Sequence, residues 1–390
     1  MWASLAREGA PCYPARTMTL ESLVGAQLVA GLPGTDATPA LLAHLERLHI
    51  QSIILFERNL TSAAQTTQLI RTLEAGLGRP LLVMIDHEGG RIVRLRRDLT
   101  PFPSARDAAS RGDPGTIERQ GAVEAEELAR LGIRVNLAPC VDVVAEGSDP
   151  VIGDRSYGSD PARVSAFGVA RIRGLQSHGV AACAKHFPGL GAVGRDPHKT
   201  LPTIQLDWEI MRATHLPPFA AAIAAGVATV MSSHVCYPGL GELEGLPATF
   251  SERLIDGWLR KELGFRGAIL SDDLLMGALT YVGDPAIAPR PLAVDGTVVQ
   301  PLMGGRDVAP LGADVRVPRA MPVGLHMGEV AVRTAAAGHD LLLICDNLSA
   351  QEQAFSGLLA AYQSGRLPRA ALEASGERIQ RLRREFLPRP

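Results

Sequence analysis

The chain has 390 residues, of which 46% are apolar and 21% charged, and its formal net charge is −2. This length suits two average domains or one large α/β barrel, and the composition is typical of a folded protein rather than a disordered one. The small net charge gives no reason to expect nucleic acid or an anionic membrane as a partner. No uninterrupted apolar stretch reaches the roughly 18 residues of a membrane-spanning helix.

The N-terminus and the cysteines bear on cellular location. Residues 1–17 lack the continuous apolar segment of a signal peptide, and we expect them to form a flexible extension, with Met18 as an alternative start. The five cysteines are scattered without a C-x-x-C pair, which favours reduced, buried thiols in a cytoplasmic protein. They are Cys12, Cys140, Cys183, Cys236 and Cys345.

Eight short apolar segments alternate with longer amphipathic ones along the chain. The apolar segments cover residues 26–32, 51–57, 80–86, 135–142, 181–187, 228–234, 267–273 and 340–346. Their near-continuous hydrophobicity is typical of strands buried on both faces of a parallel sheet. The segments between them carry helical periodicity, and several open on Ser or Thr, which are good helix N-caps. The alternation predicts an α/β fold, a single (β/α)8 TIM-type barrel.

Most of the apolar segments end in a polar residue. These residues are Glu57, Asp86, Asp142, Lys185, His186, His234, Asp272 and Asp346. Because barrel enzymes build their sites at the C-terminal ends of their strands, the set predicts a site there, although any single one could simply mark a strand leaving the core. A Pro- and Gly-rich insertion at about 280–327 follows a strand end and is expected over the same end. Residues 374–386 predict a solvated helix whose basic residues need no partner.

The segment KHFPGLGAVGRDPHKTLP, residues 185–202, first suggests a nucleotide or metal site. Its glycines match the dinucleotide pattern G-x-G-x-x-G, but Pro197 and Pro202 prevent the regular helix that such a site requires. A metal could use side chains from this segment and from nearby strand ends, although no paired-histidine motif is present and Lys185 would oppose a cation. Those side chains are His186, His198, Asp142, Asp196 and His234.

The same segment fits an acid–base unit better. Asp196 can orient the imidazole of His198 and stabilise its charged form, and histidine is an effective proton donor and acceptor near neutral pH. The alternative is a turn aspartate that caps its own backbone beside an exposed histidine. The segment ILSDDLLMGA, residues 269–278, could supply the partner group. There, Asp272 or Asp273 is placed to attack an anomeric carbon, or the pair simply initiates a helix.

Further binding groups are expected in two loops. MIDHEGGRIVRLR, residues 84–96, ends a strand at Asp86, a carboxylate suited to sugar hydroxyls, and presents Arg91 and Arg94. Arg155 lies in the second loop, VIGDRSYG, residues 151–158. Arginines in such loops are usually surface charges, and only their co-occurrence favours a site.

Taken in chain order, these motifs resemble the family 3 glycoside hydrolases, specifically the single-domain bacterial β-N-acetylglucosaminidases of the peptidoglycan-recycling type. The matching pieces, from about Leu28 to Asn347, are ILFERN, IDHEGGRIVRLR, NLAPCVDV, IGDRSYG, KHFPGLGAVGRDPHKTLP, LPPFAAAI, MSSHVCYPG and SDDLLMGA. The resemblance implies one barrel domain over residues 18–390, no metal and no cofactor. It also implies a retaining mechanism on terminal β-linked N-acetylglucosamine.

Residue by residue, the resemblance makes Asp272 the nucleophile and His198 the general acid/base, with Asp196 as the partner of His198. The residues implied to hold the sugar are Asp86, Arg94, Arg155, Lys185 and His186. The family usually has Gly-His-Gly where this chain has Leu190 between two glycines, so we expect altered loop packing with the acid–base pair intact.

The resemblance leaves alternatives for the activity. A β-glucosidase, a broader β-glycosidase or phosphorylase of the same family, and a catalytically silent carbohydrate-binding relative are the competing hypotheses. The expected partner is a small carbohydrate or a muropeptide, with neither nucleic acid nor membrane involved. The expected protein is a cytoplasmic monomer or weak dimer.

Overall fold

The computed structural model describes residues 19–144, 151–192, 201–242, 245–280 and 326–388. The expected N-terminal extension and nearly all of the Pro/Gly-rich insertion lie outside these residues. Asp196 and His198 lie outside them as well.

Eight strands in the described part of the chain form one parallel sheet. They are β1 (Leu28–Gly31), β2 (Ser52–Leu55), β3 (Leu82–Ile85), β4 (Val135–Asn136), β5 (Ala181–Phe187), β6 (Thr229–Ser232), β7 (Ala268–Leu270) and β8 (Leu342–Ile344). Each strand falls inside one of the eight predicted segments. Consecutive strands from β1 to β7 pair in parallel, β8 pairs with β1, and a bridge from Leu270 to Leu341 links β7 to the start of β8. The nearly closed sheet confirms the predicted (β/α)8 TIM-type barrel.

Helices surround the sheet. The α-helices within the described ranges are α1 (Leu20–Gln27), α2 (Pro39–Arg47), α3 (Ala63–Leu77), α4 (Ala105–Arg111), α5 (Pro114–Leu131), α6 (Pro161–Ser177), α7 (Trp208–Ile210), α8 (Leu216–Ala224), α9 (Gly277–Thr280), α10 (Met327–Ala336), α11 (Leu348–Gln363) and α12 (Arg369–Phe386). A π-helical segment, Met211–His215, joins α7 to α8. Another, Arg253–Glu262, lies between β6 and β7 in the chain. Polar N-caps start several helices; Thr38, for example, accepts a hydrogen bond from the backbone N–H of Leu41.

The C-terminal helix α12 closes one end of the barrel. Ile379, Leu382 and Phe386 pack into the same buried cluster as side chains from the barrel interior. Arg383 is buried and donates to the backbone oxygens of Gln51 and Pro80, at 2.7 and 2.8 Å, just before β2 and β3 begin. Burial lowers the pKa of Arg383 to about 10. The expectation of a solvated helix is therefore wrong for this face of α12, because Arg383 is buried against carbonyl groups that precede two strands. The helix lies at the N-terminal ends of the strands, which leaves the opposite end of the barrel for a site.

Candidate active site

Charged side chains at the C-terminal ends of β3 and β5 form a buried ion cluster. Lys185 Nζ lies 2.7 Å from Asp86 Oδ1 and 2.7 Å from Glu88 Oε1. Arg155 binds Glu88 in a fork, with donor–acceptor distances of 2.8 and 2.9 Å. Arg94 reaches Asp86 Oδ2 at 3.3 Å. The cluster thus unites Asp86, Lys185, Arg94 and Arg155, all predicted site residues, around a carboxylate that the sequence analysis did not assign.

The electrostatics of this cluster keep every member charged. Burial raises the pKa of Asp86 and of Glu88, but the neighbouring cations more than offset it, so both pKa values are lowered. Burial likewise lowers the pKa of Lys185, and the two carboxylates raise it by more, so the net shift is upward. Three cations, Lys185, Arg94 and Arg155, therefore face two carboxylates. The N–H donors of these cations suit the cluster to binding oxygen-rich ligands.

His186 is held beside this cluster by a second buried carboxylate. Its Nδ1 lies 2.7 Å from Asp142 Oδ2, and its backbone N–H also points to that carboxylate. Asp142 Oδ1 accepts from the backbone N–H of Leu190 at 2.6 Å. The hydroxyl of Tyr237 donates to the backbone oxygen of Gly189 at 3.0 Å. The start of the glycine-rich segment is thereby fastened to the ends of β4 and β6.

The two neighbouring aspartates after β7 take different environments. Asp273 Oδ1 accepts from the backbone N–H groups of Leu275 and Cys345, at 3.2 and 3.1 Å, so this carboxylate holds the local chain. Asp272 Oδ1 accepts from the N–H of Asp273 at 2.8 Å. Burial raises the pKa of Asp272, but the electrostatic influence of its neighbours, that of His234 first, and the hydrogen bond from the N–H of Asp273 outweigh burial, so the net shift is downward. Of the pair, Asp272 is the ionised carboxylate not committed to the turn that follows.

Some polar strand ends take no part in the cluster. Glu57 is 59% exposed and lies 3.8 Å from Arg96. Arg91 is turned outward to Asp154, with Nε 2.8 Å from Oδ1. Asp346 is exposed and accepts from the N–H of the next residue. Glu57 and Asp346 fit the alternative that a polar group can simply mark a strand leaving the core, and Arg91 fits the alternative of a surface charge in a loop.

Sequence reasoning missed the roles of Glu88 and Asp142. Glu88 lies two residues after Asp86, and in an extended stretch that spacing places two side chains on the same side. Asp142 was recognised as a strand end and considered only as a metal ligand. Neither residue could be assigned a partner from the sequence, because Glu88 binds groups 67 and 97 residues away along the chain.

Within the described ranges, one group of side chains could hold a metal ion. Cys140 Sγ, Asp142 and His186 place their donor atoms within 4.8 Å of one another. Burial and the charge of Asp142 raise the pKa of the Cys140 thiol, which keeps it protonated and a poor ligand. Lys185 and Arg155 add positive charge alongside. The donor set therefore fits a hydrogen-bonded cluster better than a cation site.

The first two glycines of the G-x-G-x-x-G pattern, Gly189 and Gly191, pack closely against protein. A Cβ on Gly191 would lie 2.0 Å from the backbone oxygen of Val143, and one on Gly189 would lie 2.7 Å from the Cβ of His215. Gly189 and Gly191 therefore serve close packing of the segment against its neighbours.

A parallel α/β barrel with a charged cluster at its C-terminal strand ends is the architecture of a barrel enzyme. Residues 25–382 match the sequence model of the family described as glycosyl hydrolase family 3 N terminal domain. The chain belongs to this family.

Relatives and solved structures agree with this assignment. A β-hexosaminidase from Stenotrophomonas maltophilia (strain K279a) is 38% identical over 66% of this chain and 77% of its own length. A family 3 β-N-acetylglucosaminidase from Paenibacillus sp. str. FPU-7 superposes with a TM-score of 0.80 at 34% identity, covering 94% of this chain. This chain spans 62% of that longer protein. NagZ from Neisseria gonorrhoeae, solved in complex with N-trifluoroacetyl-D-glucosamine, gives 0.68 at 25% identity, over 91% of this chain and 97% of its own.

Across the described ranges, the helices are too short or too polar to span a lipid bilayer.

Proposed function

We propose that this chain is an exo-acting, retaining enzyme that removes terminal, non-reducing β-linked N-acetylglucosamine through a covalent glycosyl-enzyme intermediate. Its family and its β-hexosaminidase relatives make it a glycoside hydrolase of the β-N-acetylhexosaminidase type. The observation that carries the mechanistic part is Asp272, an ionised carboxylate at the end of β7. It lies at the same end of the barrel as the ion cluster around Lys185.

In the proposed reaction, Asp272 attacks the anomeric carbon, and its carboxylate oxygen forms a bond as the bond to the leaving oxygen breaks. His198, with Asp196 orienting it, gives the leaving oxygen a proton. Water then attacks the anomeric carbon, His198 takes the proton from that water, and the Asp272 ester is released as a free carboxylate. His198 and Asp196 lie outside the described residues, and their roles rest on the family motif.

The sugar-holding residues divide by their exposure. The side chains of Arg94 and Asp86 are 24% and 17% exposed, and we assign them direct contact with sugar hydroxyls. Lys185 and Arg155 are 2% and 11% exposed and are already bound to carboxylates. Lys185 has one ammonium hydrogen left for the sugar after its two carboxylate contacts. His186 completes the proposed set at the end of β5.

The wider setting is also a proposal. One barrel domain would carry all of the chemistry, in a cytoplasmic monomer or weak dimer that acts on muropeptides in peptidoglycan recycling. The thiols of Cys140, Cys183 and Cys345 are buried and free, which suits a reducing compartment. Release of N-acetylglucosamine from a purified muropeptide, measured against chitobiose, would test the substrate.

The first experiment is hydrolysis of a chromogenic N-acetyl-β-glucosaminide, with the matching β-glucoside in parallel. We expect turnover of the first and little of the second. No turnover by the folded protein would refute the proposal, and preference for the glucoside would move it to the β-glucosidase class.

Variants then test the two catalytic roles. Asp272→Asn should abolish the glycosyl-enzyme that an activated fluoro-sugar accumulates, as seen by intact-protein mass spectrometry. Asp346→Asn, the same change at an exposed strand end, should still accumulate the glycosyl-enzyme. His198→Ala should slow substrates with poor leaving groups most, because only these need a proton. Equal loss for reactive aryl glycosides would contradict the acid role.

A further inference from the structure

The carboxylate of Asp142 is fully buried between the ends of β4 and β5. Its oxygens accept from His186 Nδ1 at 2.7 Å, from the N–H of His186 at 3.2 Å and from the N–H of Leu190 at 2.6 Å. The thiol of Cys140 adds a fourth donor at 3.3 Å. A buried carboxylate with this many donors is well satisfied as an anion, so it acts on its neighbours as a fixed acceptor.

The contacts of the His186 ring decide where its proton lies. Asp142 can only accept, so the Nδ1 that faces it must carry the hydrogen. The other ring nitrogen, Nε2, lies 3.5 Å from Nη2 of Arg155. A guanidinium can only donate, and it stays protonated, so the nitrogen facing it must present a lone pair. The two contacts together select the neutral ring with its hydrogen on Nδ1.

We propose that Asp142 is a positioning residue that fixes His186 as the Nδ1–H tautomer, so that Nε2 faces the site as an acceptor for a hydroxyl group of the bound sugar. Identifying the donor as a sugar hydroxyl rests on the proposed function. The tautomer itself rests only on the contacts of the ring. The same carboxylate holds the N–H of Leu190, so one group sets both the imidazole and the start of the glycine-rich segment.

Replacing Asp142 with Asn should reverse the proton arrangement. Asp142 Oδ1 accepts from the N–H groups of Leu190 and His186, so the amide oxygen of Asn is needed at that position and the amide nitrogen takes the place of Oδ2, which faces Nδ1. That nitrogen donates, and His186 can meet it by presenting Nδ1 as a lone pair, which moves the ring hydrogen to Nε2. That hydrogen would then point toward Arg155 and into the sugar site. A group that accepted from a hydroxyl would become one that donates, so substrate binding should suffer more than the chemical step.

The test is the ¹⁵N NMR spectrum of the histidine rings in the full chain at neutral pH. The chain has 10 histidines, and the His186 signals are identified by their loss in His186→Gln. We expect the wild-type protein to show a protonated Nδ1 and an unprotonated Nε2. Asp142→Asn should show the opposite pattern, with kcat/KM reduced about 10- to 100-fold, mostly through KM, by analogy with the partners that orient metal-bound histidines.

Cys140→Ala is the matched control, because it removes one donor to Asp142 without touching the contact with His186. It should keep the wild-type tautomer and activity. A wild-type ring protonated on Nε2, or on both nitrogens, would overturn the proposal. An unchanged tautomer in Asp142→Asn would also do so, and if that variant fails to fold, the wild-type spectrum still decides. Failure of the wild type to cleave the N-acetylglucosaminide would refute the proposed function and leave this spectrum unaffected.

Discussion

Glu88→Gln is the change that best tests the buried ion cluster. Glutamine keeps the size of the side chain but removes the charge that Arg155 and Lys185 share. Glu88 is 6% exposed, and Lys185 is 2% exposed. After the change, three cations would face the single carboxylate of Asp86. The amide oxygen can accept from one of them, but the amide nitrogen then points a donor toward the other.

The magnitude follows from the burial of the pair. Breaking a buried ion pair by removing one partner costs about 3–5 kcal/mol, because the remaining charge stays buried without compensation. The forked contact of Arg155 places this case at the upper end, and the surviving contact of Lys185 with Asp86 moderates it. We therefore expect a loss of about 4 kcal/mol in the free energy of unfolding, together with weaker substrate binding.

The measurement is urea unfolding of the wild-type protein and Glu88→Gln at neutral pH, with Glu57→Gln as the control. Glu57 makes a longer contact and is 59% exposed, so its loss should cost less than about 1 kcal/mol. Similar costs for the two variants would refute the reasoning.

The pH dependence provides a second check on Glu88. Its pKa is lowered from an ordinary value of 4.5, so the carboxylate stabilises the folded state fully above that pH. The contribution is lost as the pH falls below it toward the folded-state pKa. The gap between wild type and Glu88→Gln should thus be constant near neutrality and narrow in acid. A gap that widened in acid would contradict the assignment.

Three further predictions concern packing and buried hydrogen bonds. Gly191→Ala would place a Cβ 2.0 Å from a backbone oxygen, whereas the Cβ of Gly34→Ala would meet nothing within 4 Å. The value of kcat/KM should therefore fall more than about tenfold in the Gly191 variant only. Equal activity of the two variants would refute the packing role. Trp208 and Trp258 stack with ring centroids 3.9 Å apart. A double-mutant cycle to alanine should therefore give a coupling energy of about 1 kcal/mol in the free energy of unfolding. Additive effects of the two single substitutions would contradict this. Arg383→Met should cost about 2 kcal/mol, because two strand-end carbonyls lose a charged donor; an unchanged urea midpoint would show that water replaces it.

Local sequence patterns were sufficient to predict the barrel. The strand segments are short and nearly continuous in hydrophobicity, and the amphipathic segments between them carry helical periodicity, so each element could be assigned from its own residues. Parallel strands then put the polar groups that follow them at one end. For this reason Asp86, Lys185, His186 and Asp272 could be named as strand-end groups before their geometry was known.

The sequence predicted the C-terminal helix but not the burial of one of its basic residues. Its charged residues suggested a solvated surface, yet Arg383 is buried and bound to carbonyl groups of the barrel. A basic residue that caps strand ends has the same sequence pattern as one in water. Only its position against the barrel distinguishes the two.

The sequence by itself thus determined the eight strands, their alternation with helices, and the family to which the motifs point. Only the tertiary structure decided which strand-end groups meet. Lys185 binds Asp86 across 99 residues, Arg155 binds Glu88 across 67, and His186 binds Asp142 across 44. These partners depend on how the barrel closes and on side-chain positions to within an ångström, because ion pairs and hydrogen bonds are short-ranged. Spacing along the chain carries no such information.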